Sequence, residues 1–242
     1  MSTMTTGGSS MNRMNTLESV LTPQVCRAEN PLSLTEVNGQ TNSSAPVARG
    51  VLELLACDPL PGWDRVASTI RLVRLRPGEH LFRVGQSQPF VFFVRQGVLK
   101  MIYETGDGKE WIKAFAGEGA FFSSLSALQT GGQTTFSVLA LQDAVVEKVD
   151  YALLHALAEQ HMAWQRVLRR AFEIYGFRKE KREKDLLTLT AEERYKNFLL
   201  EHPDLESRIS QKDLAGYIRV TPVGLSRIKA RIKRAGNSRA PG

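Results

Sequence analysis

Arg227, with Ser226 beside it and Val223 one helical turn earlier, is the side chain in this sequence best suited to selective recognition. A guanidinium presents two parallel N–H donors that match the paired acceptors on the major-groove edge of guanine. A serine hydroxyl serves a base or a phosphate, and a valine methyl can touch the methyl of thymine. Thr221, Lys212, Lys229, Arg231 and Lys233 surround this trio and are of the kinds that hold phosphates without reading bases. The charge here has one sign. From Tyr217 to Gly242 there are seven Lys and Arg and no Asp or Glu, so the formal excess of +7 resides in this tail and the preceding residues balance. A single-sign cluster of this kind is the footprint of a polyanion partner. A solvated basic tail would carry the same charge; the elements beneath it separate the two readings.

Two short helices must position these groups. Ser210 can cap the first with its hydroxyl, and Asp213 occupies the capping-box place, where a carboxylate also favours the positive end of the helix. Arg219-Val220 breaks the run. Thr221 is a good cap for the second helix, and Pro222 suits its first position, where a missing N–H costs nothing. Leu214, Tyr217 and Ile218 on the first helix and Leu225, Ile228 and Ile232 on the second recur at three- and four-residue steps. The two apolar stripes can therefore face each other, and the small Ala215 permits close contact. Val223, Ser226, Arg227 and Lys229 are left to face outward. Two caps, a matched core and unmixed charge argue for a helix-turn-helix that lays its second helix in the major groove of DNA.

Upstream, 242 residues suggest two modest domains, each able to bury a core. The fold class expected is α+β. No apolar run approaches the roughly 18 residues of a membrane span and the N-terminus lacks the layout of a signal peptide, so a cytoplasmic protein without membrane contact is expected. Cys26 and Cys57 form no CxxC, which leaves a disulfide framework and a zinc ribbon unsupported. Residues 1–48 are polar, with no sustained apolar period, and read as a disordered arm. A short apolar helix from Val47 to Ala56 then introduces the folded part.

Over residues 49–160, RLVRL, HLFRV, FVFFVR, GVLKMIYE, EWIKAF, AFF, TTFSVLAL and AVVEKV are short β-rich runs separated by Gly, Pro and Asp, which suggests an antiparallel barrel or jelly roll. His80 is the only histidine among those strand runs, so a metal-dependent barrel enzyme of the cupin sort lacks its donors; no catalytic residue and no metal ligand is assigned. Asp150 opens a helix over Tyr151 to Gln160. A longer one follows from Met162 to Lys184, within a segment at 161–187. Its Trp164, Val167, Ala171 and Ile174 step by three and four as in a two-helix seam, although core packing against the barrel would give the same stripe. Gly176 interrupts this helix at about 1 kcal/mol against Ala. Thr190 with Glu193 makes another capping box at the head of Ala191 to Glu201, so Leu187 to Thr190 is a candidate hinge into the last unit, 188–242. Tyr195, Phe198 and Leu199 are expected to share a core with the last two helices.

The pattern IxQKDLAxYxxVTPxxLSRIxxxI over Ile209 to Ile232 resembles the DNA-reading segment of the Crp/Fnr family of bacterial transcription regulators. LRPGEHLFRVGQ followed by FFVRQGVLKM is similar to the opening of that family's ligand-binding domain, and GEGAFF to the lead into its phosphate cassette; the likeness spans about residues 49–234. It implies a cyclic-nucleotide-binding-type β-barrel, a long dimerisation helix and a C-terminal helix-turn-helix. It also implies a homodimer on a pseudo-palindromic site in double-stranded DNA. RNA polymerase is a further partner of many members, through loops that nothing here identifies, so activation and repression stay open.

Two departures from the family pattern matter. In cAMP-binding members the cassette carries a Glu for the ribose and an Arg for the cyclic phosphate; here Ser124 replaces the Glu, and Thr134-Thr135 fall where the Arg would be. A cyclic phosphate buried without a cation loses a charge-assisted pair, so tight cAMP binding is not expected and no cofactor is assigned. Phe121, Ser123, Ser124, Leu125, Thr134 and Thr135 then describe a neutral, partly apolar lining that could receive an uncharged ligand or be packed shut. An effector-free regulator or a weakly specific DNA binder is the alternative this leaves. The second departure lies in the reader, where Val223 replaces the Glu of many relatives and Arg219 stands at a turn position usually held by Gly. A left-handed backbone there would strain an Arg by about 1 kcal/mol, with charge near DNA as one reason for keeping it.

Overall fold

The computed structural model describes residues 45–237; most of the polar arm expected over residues 1–48 lies outside them, as does Cys26. The first helix, α1 (Val47–Ala56), is amphipathic, burying Ala48, Val51, Leu52 and Leu55. Its N-cap is Pro46, which offers no side-chain acceptor. The fully buried Glu147 takes that role from a strand far along the chain, accepting from the Val47 and Ala48 N–H groups at 2.8 and 2.7 Å and from Arg95 Nη1 at 3.2 Å. A carboxylate at the positive end of a helix is favourable, and here it is also the anchor that starts the folded chain.

A short helix, α2 (Trp63–Ala67), leads into eight strands: β1 (Arg71–Leu75), β2 (His80–Phe82), β3 (Phe90–Gln96), β4 (Leu99–Glu104), β5 (Glu110–Ala116), β6 (Phe121–Phe122), β7 (Ser137–Ala140) and β8 (Ala144–Asp150). They form two antiparallel four-stranded sheets in the orders β1-β8-β3-β6 and β2-β7-β4-β5. That alternation is a jelly roll. All the β-rich runs read from sequence contain strands, and four of the strands, β2, β4, β6 and β7, are shorter than their runs. The second and seventh part beyond Phe82 because the Val84 N–H turns to the Ser137 hydroxyl at 3.0 Å, and Gln86 N–H to Thr134 Oγ1 at 3.1 Å. Between the sheets, Phe82 packs on Phe92 and Phe136, and Phe92 stacks on Phe122, with ring centroids 5.4 to 5.6 Å apart. Each such fully buried ring contributes roughly 1.5–3 kcal/mol.

Helix α3 (Tyr151–Gln160) starts at Asp150, whose carboxylate accepts from Leu153 N–H, and α4 (Met162–Thr188) follows without a gap of more than one residue. Here the structure corrects the seam expected on the long helix. Trp164 and Val167 are sealed in the chain's own core against α1 and α3, Ala171 and Ile174 pack on the same cluster, and the Trp164 indole donates to Pro61 O at 2.8 Å. The Trp164 and Val167 part of the stripe is already occupied, while Ala171 and Ile174 remain partly exposed. Arg166 and Arg170 on the same helix face close the other end of α1, donating to Ala56 O at 3.0 Å and Leu55 O at 2.8 Å. The apolar side chains of α4 that do reach solvent are Met162, Phe172, Phe177 and Leu187.

Three further helices complete the described chain: α5 (Ala191–Glu201), α6 (Gln211–Ile218) and α7 (Pro222–Asn237). Tyr195, Phe198, Leu214, Ala215, Ile218, Leu225 and Ile228 form their core, with Leu199, Tyr217 and Ile232 at its edge, as the sequence periodicity implies. That core also includes Val98 and Phe115 of the jelly roll, so the C-terminal helices are seated directly on it. No helix of the described residues is long and apolar enough to cross a membrane.

Candidate nucleic-acid interface

Each end of the two C-terminal helices is specified locally. The Ser210 hydroxyl accepts from Asp213 N–H at 3.0 Å, and Thr221 Oγ1 accepts from Gly224 N–H at 3.1 Å, with Pro222 in the first turn as expected. Gly224 fits this cap. A Cβ there would lie 3.3 Å from Thr221 Oγ1, against the cap's own acceptor. Between the helices Arg219 is left-handed, with φ 63°. Val220 N–H reaches back to Ala215 O at 2.9 Å and Arg219 N–H to Gly216 O at 3.3 Å, the paired bonds of a Schellman ending.

The turn is gripped from outside as well. Arg182 of α4 donates to Tyr217 O at 2.5 Å and lies 3.8 Å from the centroid of the Tyr217 ring, while Arg194 of α5 donates to Ile218 O at 3.0 Å. Two guanidinium groups thus cover the carbonyl end of α6, the end at which cations are favoured. Arg219 itself stacks on Trp111 of β5 at 4.3 Å. Burial, together with the like charges of Arg182 and Arg194, lowers its pKa from the ordinary arginine value. Within the chain its charge thus rests on an aromatic ring of the jelly roll. Such a contact contributes about 0.5–2 kcal/mol and offsets the strain of the turn.

Along α7, Leu225 and Ile228 face inward while Thr221, Pro222, Val223, Ser226, Arg227 and Lys233 are exposed, Val223 at 61%. The cations sort into two groups. Lys229 pairs with Glu206 at 2.7 Å and Arg231 with Glu192 at 2.6 Å, so two groups expected to hold phosphates are held by carboxylates of the same three-helix unit. Glu192 also takes Lys196 at 2.8 Å, and Glu206 takes the Tyr195 hydroxyl at 2.6 Å. Lys212, Arg227, Lys233 and Arg234 are exposed and form no ion pair among the described residues. Arg234 is an addition to the expected set, on the same helix and of the same sign.

The unit is locked to the jelly roll by two ion pairs over its apolar seat. Lys100 reaches Asp213 at 2.9 Å, and Arg208 makes a two-pronged pair with Glu118 at 2.7 and 2.8 Å. Burial raises the Glu118 pKa, but the bonds from Arg208 and the Gly97 N–H outweigh it and leave the carboxyl below the ordinary value.

The expected effector lining is largely satisfied from within. Ser124 and Thr134 are buried: Ser124 Oγ accepts from Thr135 N–H at 3.4 Å, and Thr134 Oγ1 donates to Arg83 O at 2.6 Å. Leu125 opens a turn of 3₁₀ helix ending at Leu128. Gly132 closes the loop so tightly that a Cβ would lie 1.9 Å from Ser126 O. Phe121 packs on Phe93 at 6.2 Å, Ser123 is half-buried, and Thr135 is exposed. Of the two outcomes left open by the sequence, these contacts favour a loop packed shut. The lining nearby is not neutral, however. Arg178 of α4 lies 5.9 Å from the Phe121 ring and Lys113 of β5 lies 4.8 Å from the Phe136 ring.

Residues 72–161 match the cyclic nucleotide-binding domain family. No curated protein matches the chain by sequence. Among solved structures, FixK2 from Bradyrhizobium japonicum is similar at a TM-score of 0.62 and 22% identity, over 69% of this chain and 86% of that one. A putative cAMP-binding regulatory protein from Silicibacter pomeroyi DSS-3 gives 0.56 and 21%, over 78% and 89%. The c-di-GMP responsive global regulator CLP of Xanthomonas campestris gives 0.51 and 16%, over 70% and 89%. At these identities the likeness is one of fold.

Proposed function

We propose that this chain, which carries a cyclic nucleotide-binding domain in the fold of the Crp/Fnr regulators, is a sequence-specific DNA-binding transcription regulator that works as a homodimer. The observation that carries this reading is the division of α7: its apolar face is consumed by the core, while Thr221, Val223, Ser226 and Arg227 stand exposed on a capped helix whose unpaired charges are all positive. Arg227 reads guanine, Ser226 a base or phosphate and Val223 a thymine methyl. Lys212, Lys233 and Arg234 hold phosphates, and Lys229 and Arg231 hold the helix in place through Glu206 and Glu192.

A dimer joined along α4 would set two such helices one turn of DNA apart, about 34 Å. With Trp164 and Val167 spent inside the chain, the side chains available for that contact include Met162, Phe172 and Phe177, beside the partly exposed Ala171 and Ile174. Without the Glu and Arg of the cassette, cAMP is not the signal. Selection of bound duplexes from a random pool tests the reading. The native protein should yield a palindrome, and Arg227→Ala should lose about 1–3 kcal/mol of discrimination per half-site. A pool that stays random, or an R227A protein with unchanged selectivity, overturns it.

A further inference from the structure

We infer that the corner where β1 meets the start of α3 is a binding site for a small zwitterion with an apolar side chain, of the kind a free hydrophobic amino acid presents. A cavity of about 470 Å³ opens there, within the size range of small-molecule sites. The sheet register sets its cationic side. Val73 and Val146 are partners across β1 and β8 at the core between the sheets, and Arg71 and Lys148 are the next pair outward on the same face. Like charges directly opposite each other in a sheet are destabilising. Neither forms an ion pair among the described residues. Arg71 is exposed at the rim, and the half-buried Lys148 reaches the Gln88 amide oxygen at 3.2 Å and the face of the Phe90 ring at 3.6 Å. Burial, and after it the charge of Arg71, lowers the Lys148 pKa. Two cations on one rung of the sheet suit a carboxylate.

The next rung has the opposite character. Asp150, one same-face step and about 7 Å along β8 from Lys148, caps α3 with one carboxylate oxygen, which accepts from Leu153 N–H at 3.2 Å. Its other oxygen has no partner among the described residues. The Thr69 hydroxyl spends its proton on Val66 O at 2.8 Å and so offers the cavity lone pairs alone. Acceptors without donors suit an ammonium group. Phe90, the partner of Asp150 across β3 and β8, and Leu153 of α3 supply the apolar wall. Asp150 disfavours a simple anion here, and the Arg71 and Lys148 pair disfavours a simple amine. A carboxylate and an ammonium held one carbon apart satisfy both rungs. The lining contains no described residue of the 121–135 loop, of α4 or of the last three helices, so the site is separate from both the expected effector lining and the DNA-reading unit.

Binding is measured on the full chain without DNA, so the outcome does not depend on whether the chain reads DNA. L-Phenylalanine and L-leucine are titrated by calorimetry, with hydrocinnamate and phenethylamine as controls that each keep one of the two charges. At least one amino acid should bind saturably, and both controls should bind about tenfold more weakly or not at all. Arg71→Gln and Asp150→Asn should each weaken the amino acid about tenfold; the asparagine keeps a capping oxygen for α3, and circular dichroism confirms that both variants are folded. Absence of saturable binding by both amino acids up to about 10 mM, a control that binds as tightly as phenylalanine, or either variant binding as the native protein does overturns the inference.

Discussion

The division of cations on the DNA-facing unit can be read from the salt dependence of binding. Each phosphate neutralised releases counterions, and the slope of log K against log salt is about −0.9 per contact on duplex DNA. With Arg227 engaged at a base, Lys212, Lys233 and Arg234 remain for phosphates in each protomer. A dimer then makes about six contacts and should show a slope near −5, losing about three decades of affinity between 50 and 200 mM salt. Replacing both Lys212 and Lys233 by Ala removes four charges per dimer and should flatten the slope to about −2. Replacing both Lys229 and Arg231 by Ala should leave it near −5, because those charges are already satisfied by Glu206 and Glu192. Fluorescence anisotropy on the selected duplex, with circular dichroism to confirm folding, makes the comparison. Equal flattening by the two double variants would refute the sorting and show that the ion pairs open on DNA.

Two further outcomes follow from buried carboxylates. Glu147→Ala removes the buried carboxylate that accepts from the Val47 and Ala48 N–H groups and pairs with Arg95; the loss should be about 3–5 kcal/mol and the melting temperature should fall by roughly 10 °C, read by thermal denaturation. Glu118 has a folded pKa below its usual 4.5, so its pairing with Arg208 contributes stability that is present above that value and lost as pH falls through the depressed one. Melting curves between about pH 5 and pH 3 should therefore drop more steeply for the native protein than for Glu118→Gln. Parallel curves would show that the pair contributes nothing.

What could be read from the sequence was local. Ser210, Thr221, Thr190 and Asp150 each lie within three residues of the backbone group they cap, and all four caps are formed. The strand runs were equally legible, since alternation and punctuation by Gly and Pro are short-range signals. What was not legible concerns partners far along the chain. The Trp164 stripe has the same period whether it meets a second chain or α1, and nothing in residues 162–188 distinguishes the two. Lys229 and Arg231 are neutralised by carboxylates 23 and 39 positions earlier. Lys113 sits in an alternating strand, and only the pairing of its neighbours across the sheet reveals that the alternation slips there. The left-handed backbone of Arg219 follows from its place in the turn, whereas Trp111, on which it rests, is far away along the chain.

Because Phe115 of the jelly roll lies among the aromatic rings of Phe198 and Tyr217, the last three helices do not own a complete core. A fragment cut at the end of the long helix would carry that apolar seat bare into water and should clump rather than behave as a portable module. Grafting the unit onto another regulator's barrel would require the host to supply an equivalent ring and an equivalent of Glu118. In this chain the two halves are obliged to melt together, so any strain introduced in one is felt by the other.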